Sequence, residues 1–378
     1  MSRTPLALAA LAALAAAQGP LPRLNVAPGL TISGISSGAD MAAAFAVAFS
    51  DVTSGVAVFA GQPFRCAVTR FAGEPLLPCA GGNPSMPGCT PGTAPCAGCP
   101  PGASVAYDHC KAPAGAPARV NVSALVAAAR AAAAAGAVPP TRGLAPLRAF
   151  LFRGTRDETY LDGAVNATAA FFAAFAADAA AQIKFVADVP AGHCTPTVDP
   201  AVPATSCGTG AGAPPAMENC GYDGAGAAFA WLYAAGSVAP PPAGGCGAAC
   251  AAAIVPFDQR LYAPASAWLG ATGYALVPPA CARGSKCRIH VALHGCGMAA
   301  TNARMNMSYV RHSGFAAWGL ANDIIVLFPQ GGDAPLAPTA QLRSECFDGY
   351  GATGDDYAYA GGAQMAAVRS AVRAVAGW

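Results

Sequence analysis

Two serines stand side by side between glycines in Gly34-Ile35-Ser36-Ser37-Gly38, a stretch that fits G-x-S-x-G. In that pattern the glycines make room for a strained strand-to-helix turn that lifts the middle serine above the end of a sheet. A serine hydroxyl attacks an ester only when a base takes its proton and a third group orients that base. The chain order that accompanies this motif is serine, then an acid, then a histidine, each beyond the carboxyl end of a strand. Asp157 in "LRAFLFRGTRDETYLDG" and His193 in "IKFVADVPAGHCTPT" both follow apolar runs and meet that order. Asp162 competes with Asp157, but it is expected to cap a helix beginning near Ala164. Of the five histidines, His109 lies in a cysteine-rich stretch, His290 inside an expected strand, and His294 and His312 far downstream, which leaves His193 as the base. Acyl transfer also needs backbone N–H donors aimed at the developing oxyanion. Ser37 supplies one, and a loop of the HGGG type at His294-Gly295-Cys296-Gly297 is expected to supply the second.

These side chains need a sheet to hold them. Apolar runs ending in Gly, Asp or Pro alternate with Ala-rich stretches, the pattern of an α/β fold. Strands are expected at residues 30–33, 55–60, 147–153, 183–187, 288–293 and 323–328, and helices at 39–50, 122–135, 164–179, 225–235 and 362–375. Phe171, Phe172 and Phe175 then mark a buried helix face. The HGGG-type loop normally precedes the nucleophile in sequence, whereas here it follows. If residues 288–293 and 323–328 are the strands usually found before the elbow, the chain is circularly permuted.

Residues 79–118 are rich in Pro, Gly and Cys and read as a surface insertion stapled by disulfides. Cys96-Ala97-Gly98-Cys99, with Cys89, Cys110 or His109, has the makings of a zinc site, but disulfides fit an exported chain better. Export is expected from the first 17 residues: Arg3, an apolar run from Leu6 to Ala17 too short to span a bilayer, and a small-residue step. Fifteen cysteines agree with an oxidising compartment. Asn121, Asn166 and Asn306 head N-x-S/T sequons and are candidate glycosylation sites. With 21 basic against 19 acidic residues, there is no electrostatic footprint for nucleic acid or an anionic membrane. The expected partner is a neutral small molecule or polymer, with no metal or organic cofactor, and the chain is expected to work as a monomer.

The blocks "SGISSGADMAAAFAVAFSDV", "VFAGQPF", "GTRDET", "AGH", "NCGYDGAGAAFAWLY", "HVALHGCG", "WGLANDIIVLFPQ" and "GGAQMAAV" occur in the order found in secreted single-domain poly(3-hydroxybutyrate) depolymerases. From about residue 24 to residue 378 the chain resembles that family. The resemblance implies one circularly permuted α/β-hydrolase domain with disulfides, and a triad of Ser36, Asp157 and His193. It further implies oxyanion donors at the amides of Ser37 and Cys296, and disulfides Cys66–Cys79, Cys207–Cys220, Cys281–Cys287 and Cys296–Cys346. Cys194, beside the histidine, becomes the candidate for the odd free thiol. Two departures stand out. Where the family carries C-W-D-W near the cleft, this chain reads Cys346-Phe347-Asp348-Gly349, leaving Phe347 as the aromatic expected to meet substrate. The insertion with Cys89, Cys96, Cys99 and Cys110 has no counterpart in the family. The expected activity is serine esterase action on a polyhydroxybutyrate-type polyester or its oligomers through an acyl-enzyme. Other readings are a feruloyl or acetylxylan type of carbohydrate esterase, and a secreted binding protein with a vestigial triad.

Overall fold

Ile324–Phe328 reads IIVLF and is buried along its whole length, as expected of a strand covered on both faces of a mostly parallel sheet. The computed structural model describes residues 18–69, 110–111, 120–209, 216–233, 236–332, 337 and 339–378. The expected export segment and most of the insertion, with Cys79, Cys89, Cys96, Cys99 and His109, lie outside the described residues.

Among the described residues the strands of the main sheet are β1 (Val26–Ile35), β2 (Thr53–Phe59), β3 (Arg148–Phe152), β4 (Ile183–Val186), β5 (Ile254–Asp258), β6 (Thr272–Leu276), β7 (Cys287–Leu293) and β8 (Ile324–Phe328). They pair in the order β4-β3-β2-β1-β7-β8-β6-β5. All neighbours are parallel except β6, which runs antiparallel to both β8 and β5. Counted from β5 instead of β1, the order across the sheet is first, second, fourth, third and then fifth to eighth, an α/β-hydrolase sheet circularly permuted so that its fifth strand, β1, comes first among the strands described. The geometry allows such a cut: the Leu24 amide donates to the Val375 carbonyl at 2.8 Å, so the two ends of the fold are joined side by side.

The main helices are α1 (Ser37–Ala48), α2 (Val122–Ala134), α3 (Asp162–Ala173), α4 (Gly224–Leu232), α5 (Phe315–Ala321) and α6 (Ala363–Ala376). Side chains alternate along β1, and the alternation assigns the helices to faces. Gly34 meets the backbone of α1 on one face. Thr31 reaches Tyr233, just past α4, on the other. On the α4 face, His290 of β7 is buried between Thr31 Oγ1 at 2.7 Å and Ser33 Oγ at 2.8 Å, and Phe229 and Phe315 pack on its ring. Every residue of α1 is buried, which its alanines allow by letting the backbone lie close to the sheet.

Four expectations change. The helix expected over 164–179 stops at Ala173, and Asp178 caps a separate turn, Ala179–Gln182. β5 and β6 went unread because IVPFD carries a proline and TGYAL a glycine, both tolerated where antiparallel strands finish a sheet. Asp162 is not a cap: Leu161 holds that position, and Asp162 lies in the first turn of α3, exposed and paired with Arg153. Cys66 is bonded to Cys110, not Cys79. Cys66 sits in a short turn after β2, and cysteine spacing alone does not fix connectivity. Bridges Cys207–Cys220, Cys281–Cys287 and Cys296–Cys346 are formed, together with an unforeseen Cys246–Cys250. Cys194 is the free cysteine among the described residues.

Candidate active site

Ser36 directly follows β1 with φ 56° and ψ −125°, a left-handed backbone rarely adopted by a residue with a side chain. Two close approaches require this turn to have glycines. A Cβ on Gly34 would lie 2.1 Å from the Gly38 carbonyl oxygen, and one on Gly38 would lie 2.3 Å from that of His294. The Ser36 amide donates to the Phe59 carbonyl at 3.1 Å, locking the turn to β2. Its hydroxyl makes no capping bond to α1, although Ser36 occupies the cap position. The side chain is thus left for chemistry at the positive end of a helix dipole.

Asp157 follows β3 and His193 follows β4, so both lie on the same carboxyl edge as Ser36. Asp157 Oδ2 and His193 Nδ1 are 3.0 Å apart. Asp157 Oδ1 accepts from the amides of Thr159 at 2.8 Å and Tyr160 at 2.9 Å, which turns the chain around the carboxylate. Burial alone would raise the Asp157 carboxyl, but the hydrogen bond and charge of His193 and the two amides outweigh it, holding the group below its ordinary value. An ionised acid facing Nδ1 leaves Nε2 as the basic nitrogen, the tautomer a general base needs.

Several residues not foreseen from the sequence hold this pair. Arg153 is buried beneath the acid loop and donates to the carbonyls of Tyr160 at 3.1 Å and Asp157 at 3.2 Å. Buried Glu218 accepts from the amides of Gly192 at 2.9 Å and Gly208 at 2.6 Å, fixing the residue before His193. The Cys207–Cys220 bridge spans the same loops. The buried Cys194 thiol is pushed well up by burial and by the charges of Glu218 and Asp157, which keeps it an inert thiol. A cavity of about 590 Å³ opens beside His193, lined by Thr155, Arg156, Glu158 and Thr209 among others.

The loop after β7 closes the other side. A Cβ on Gly295 would lie 3.2 Å from Ser36 Cβ, so this loop touches Ser36. His294 Nε2 accepts from the Gly331 amide at 2.9 Å, which leaves the proton on Nδ1, 2.7 Å from the Gly295 carbonyl. Burial lowers His294 to about 4, so the ring is neutral and keeps this arrangement. Fixing the Gly295 carbonyl also fixes the Cys296 N–H at the opposite end of the same planar peptide. Cys296 is bonded to Cys346, and the Gly297 amide donates to the Ser344 carbonyl at 2.8 Å.

Phe347 is not at a cleft rim. It is fully buried, packs against His294 with ring centroids 5.0 Å apart, and its amide donates to Ser37 Oγ at 3.3 Å. Its neighbour Cys346 is tied to the loop after β7, which draws this stretch inward. Asn121, Asn166 and Asn306 are all exposed, and Asn121 also caps α2 through a bond from the Ala124 amide. Among the described residues no group of His, Cys, Asp and Glu is arranged to hold a metal, and no helix is long and apolar enough to cross a membrane.

No family model matches the chain. A polyhydroxybutyrate depolymerase of Talaromyces funiculosus is 30% identical over 97% of this chain and 96% of the relative. A poly(3-hydroxybutyrate) depolymerase of Delftia acidovorans is 29% identical over 90% of this chain, which spans 58% of that relative. Two solved structures cover 95% of this chain and 99% of their own at 25% identity. One is a serine-to-alanine variant of a PHB depolymerase complexed with an R3HB trimer, with a TM-score of 0.72. The other is the crystal structure of the PHB depolymerase from Penicillium funiculosum, with a TM-score of 0.71.

Proposed function

The chain belongs to the polyhydroxybutyrate depolymerase family, and from that premise we propose that it is a secreted serine esterase cleaving short-chain hydroxyalkanoate polyester or its oligomers. The observation that carries the reading is the strained, uncapped Ser36 on the same sheet edge as the Asp157–His193 pair. In this reading His193 takes the Ser36 proton, the hydroxyl oxygen attacks the ester carbonyl, and the amides of Ser37 and Cys296 receive the oxyanion. Collapse of the tetrahedral intermediate returns the proton to the leaving alcohol and leaves an acyl-Ser36. Water, deprotonated by His193, then releases the hydroxy acid. Asp157 stays ionised throughout and stabilises the imidazolium. A formal net charge of only +2 suits an uncharged ester, and the enzyme acts as a monomer without metal or organic cofactor, exported through its first 17 residues and glycosylated at exposed Asn121, Asn166 or Asn306.

The test is hydrolysis of soluble hydroxybutyrate oligomers, polyhydroxybutyrate film, methyl ferulate and acetylated xylan by the native protein, Ser36→Ala and Ser37→Ala. The native protein should cleave the oligomers. Ser36→Ala should be inactive with an unchanged melting temperature, and Ser37→Ala should keep most activity because its amide survives. Turnover of the ferulate or xylan esters alone would move the substrate class, and an active Ser36→Ala would remove the nucleophile.

A further inference from the structure

Tyr160 touches His193 and Asp157 of the proposed triad and reaches the helix that follows Ser36, without belonging to the triad. Its ring lies parallel to that of His193, with centroids 5.5 Å apart and planes 5° apart. Its amide donates to Asp157 Oδ1 at 2.9 Å. Its hydroxyl donates to Asp40 Oδ2 at 2.6 Å, and Asp40 lies in the first turn of α1, the helix that Ser36 opens. Tyr160 is fully buried and Asp40 nearly so.

We propose that Tyr160 is a positioning residue, a plate tied to the acid loop at one end and to the nucleophile helix at the other, which sets the plane of the His193 imidazole. The proposal rests on the triad reading above. A single Nδ1 bond to Asp157 fixes one point of the imidazole and leaves the ring free to tilt about that bond. A parallel ring against its face removes the tilt. The plate in turn needs an anchor, because a phenyl ring held only by packing slides. The hydroxyl supplies one through a short bond to a carboxylate, stronger and more directional than a neutral hydrogen bond.

The anchor is itself braced. Asp40 accepts from the Gln62 amide at 2.8 Å and from Gln62 Nε2 at 3.0 Å, and Nε2 also donates to the Gly349 carbonyl at 3.1 Å. Burial lifts the Asp40 carboxyl to about 6 against the pull of these bonds and of Lys111. A carboxylate so costly to bury, in a helix with no other charged residue, fits an anchoring role. The insertion reaches the same place: Cys110 is bonded to Cys66, and the Lys111 carbonyl accepts from the Leu161 amide at 3.1 Å, one residue past the plate.

The experiment compares Tyr160→Leu, Tyr160→Phe and Asp40→Asn in the full chain, on soluble hydroxybutyrate oligomers and on a small organophosphonate that labels an activated serine. Tyr160→Leu should lower kcat by about 10² at unchanged KM, the loss that follows from misplacing a catalytic group by about 1 Å. Labelling should slow in parallel. Tyr160→Phe keeps the plate and loses the anchor, so it should lie between Leu and the native protein. Asp40→Asn keeps an acceptor for the hydroxyl and should be the mildest. A Tyr160→Leu protein with native kcat, or with its loss confined to KM, overturns the proposal, as does loss that only tracks the melting temperature across all three. Should Tyr160→Leu fail to fold, Tyr160→Phe decides: lowered kcat at unchanged KM supports the plate, and native kcat refutes it. An active Ser36→Ala defeats the triad itself, whereas an inactive Ser36→Ala with a fully active Tyr160→Leu defeats only the plate.

Discussion

Replacing Asp157 by asparagine keeps a group of the same shape opposite His193 Nδ1 but removes the charge that selects the tautomer. Turnover should fall by about 10⁴ with the fold intact, as when other triads lose this charge. Asp162→Asn should cost little, since that carboxylate is exposed and its partner among the described residues is Arg153. Steady-state kinetics on soluble oligomers separates the two, and equal losses would leave the acid unassigned. The strained turn at Ser36 and the Asp157–His193 pair were legible as candidates because each is marked locally, by a glycine pattern or by a place just beyond an apolar run. Tyr160 was not, because its partners at positions 40 and 193 are distant in sequence. One signal was present: Asp40 is the lone charge in the apolar helix GADMAAAFAVA. Phe347 was misread for a related reason. Residue type shows that a side chain is apolar, and only the Cys296–Cys346 bridge and the His294 ring show that it points inward.

Elements matter most where a loop must present a backbone group. The loop after β7 offers the Cys296 amide, and it is held by the Cys346 bridge, the Gly297 amide bond to Ser344 and the neutral His294 ring. Replacing both Cys296 and Cys346 by serine should therefore lower kcat by up to about 10², short of the roughly 3 kcal/mol carried by a whole oxyanion donor, because two of the three restraints remain. KM should change less. The Cys281→Ser, Cys287→Ser pair is the control: that bridge spans the start of β7 at the opposite end of the strand, so it should lower the melting temperature and leave kcat alone. Equal kcat in both double variants would show that the oxyanion loop needs no staple. The inner parallel strands were legible because burial on both faces writes a continuous apolar run, as in IIVLF of β8 and RAFLF of β3. Pairing of cysteines and the antiparallel pair β5 and β6 were not, since a bridge or an edge depends on what the rest of the chain brings alongside.

At the scale of the whole molecule, two buried neutral histidines make the fold sensitive to acid. Burial lowers His290 to about 3 and His294 to about 4. Below pH 6.5 the unfolded chain takes up protons that the folded chain refuses, so stability falls as pH falls, by about 2 kcal/mol per histidine at pH 5. Asp40, raised to about 6, works the other way and returns about 1 kcal/mol over the same interval. The melting temperature should drop between pH 7.5 and pH 5, and a flat or rising profile would contradict the neutral assignments. A second property concerns the polymer. A single-domain esterase erodes an insoluble polyester only if its own surface adsorbs, and aromatic side chains each offer roughly 150 to 250 Å² for that purpose. Among the described residues the large hydrophobic side chains left exposed are Val198, Val255 and Leu261, none of them aromatic. Val255 lies in β5, at the far edge of the sheet from β4, and Leu261 closely follows that strand, so neither borders Ser36. Phe347 contributes nothing, being buried. The native protein should therefore cleave soluble hydroxybutyrate oligomers readily and clear crystalline film slowly, with little protein depleted from solution when film is added. Film erosion as fast as oligomer cleavage, with strong depletion, would place the adsorbing surface in the stretch between Cys66 and Cys110, and exchanging the apolar residues there for serine should then abolish adsorption while oligomer turnover continues.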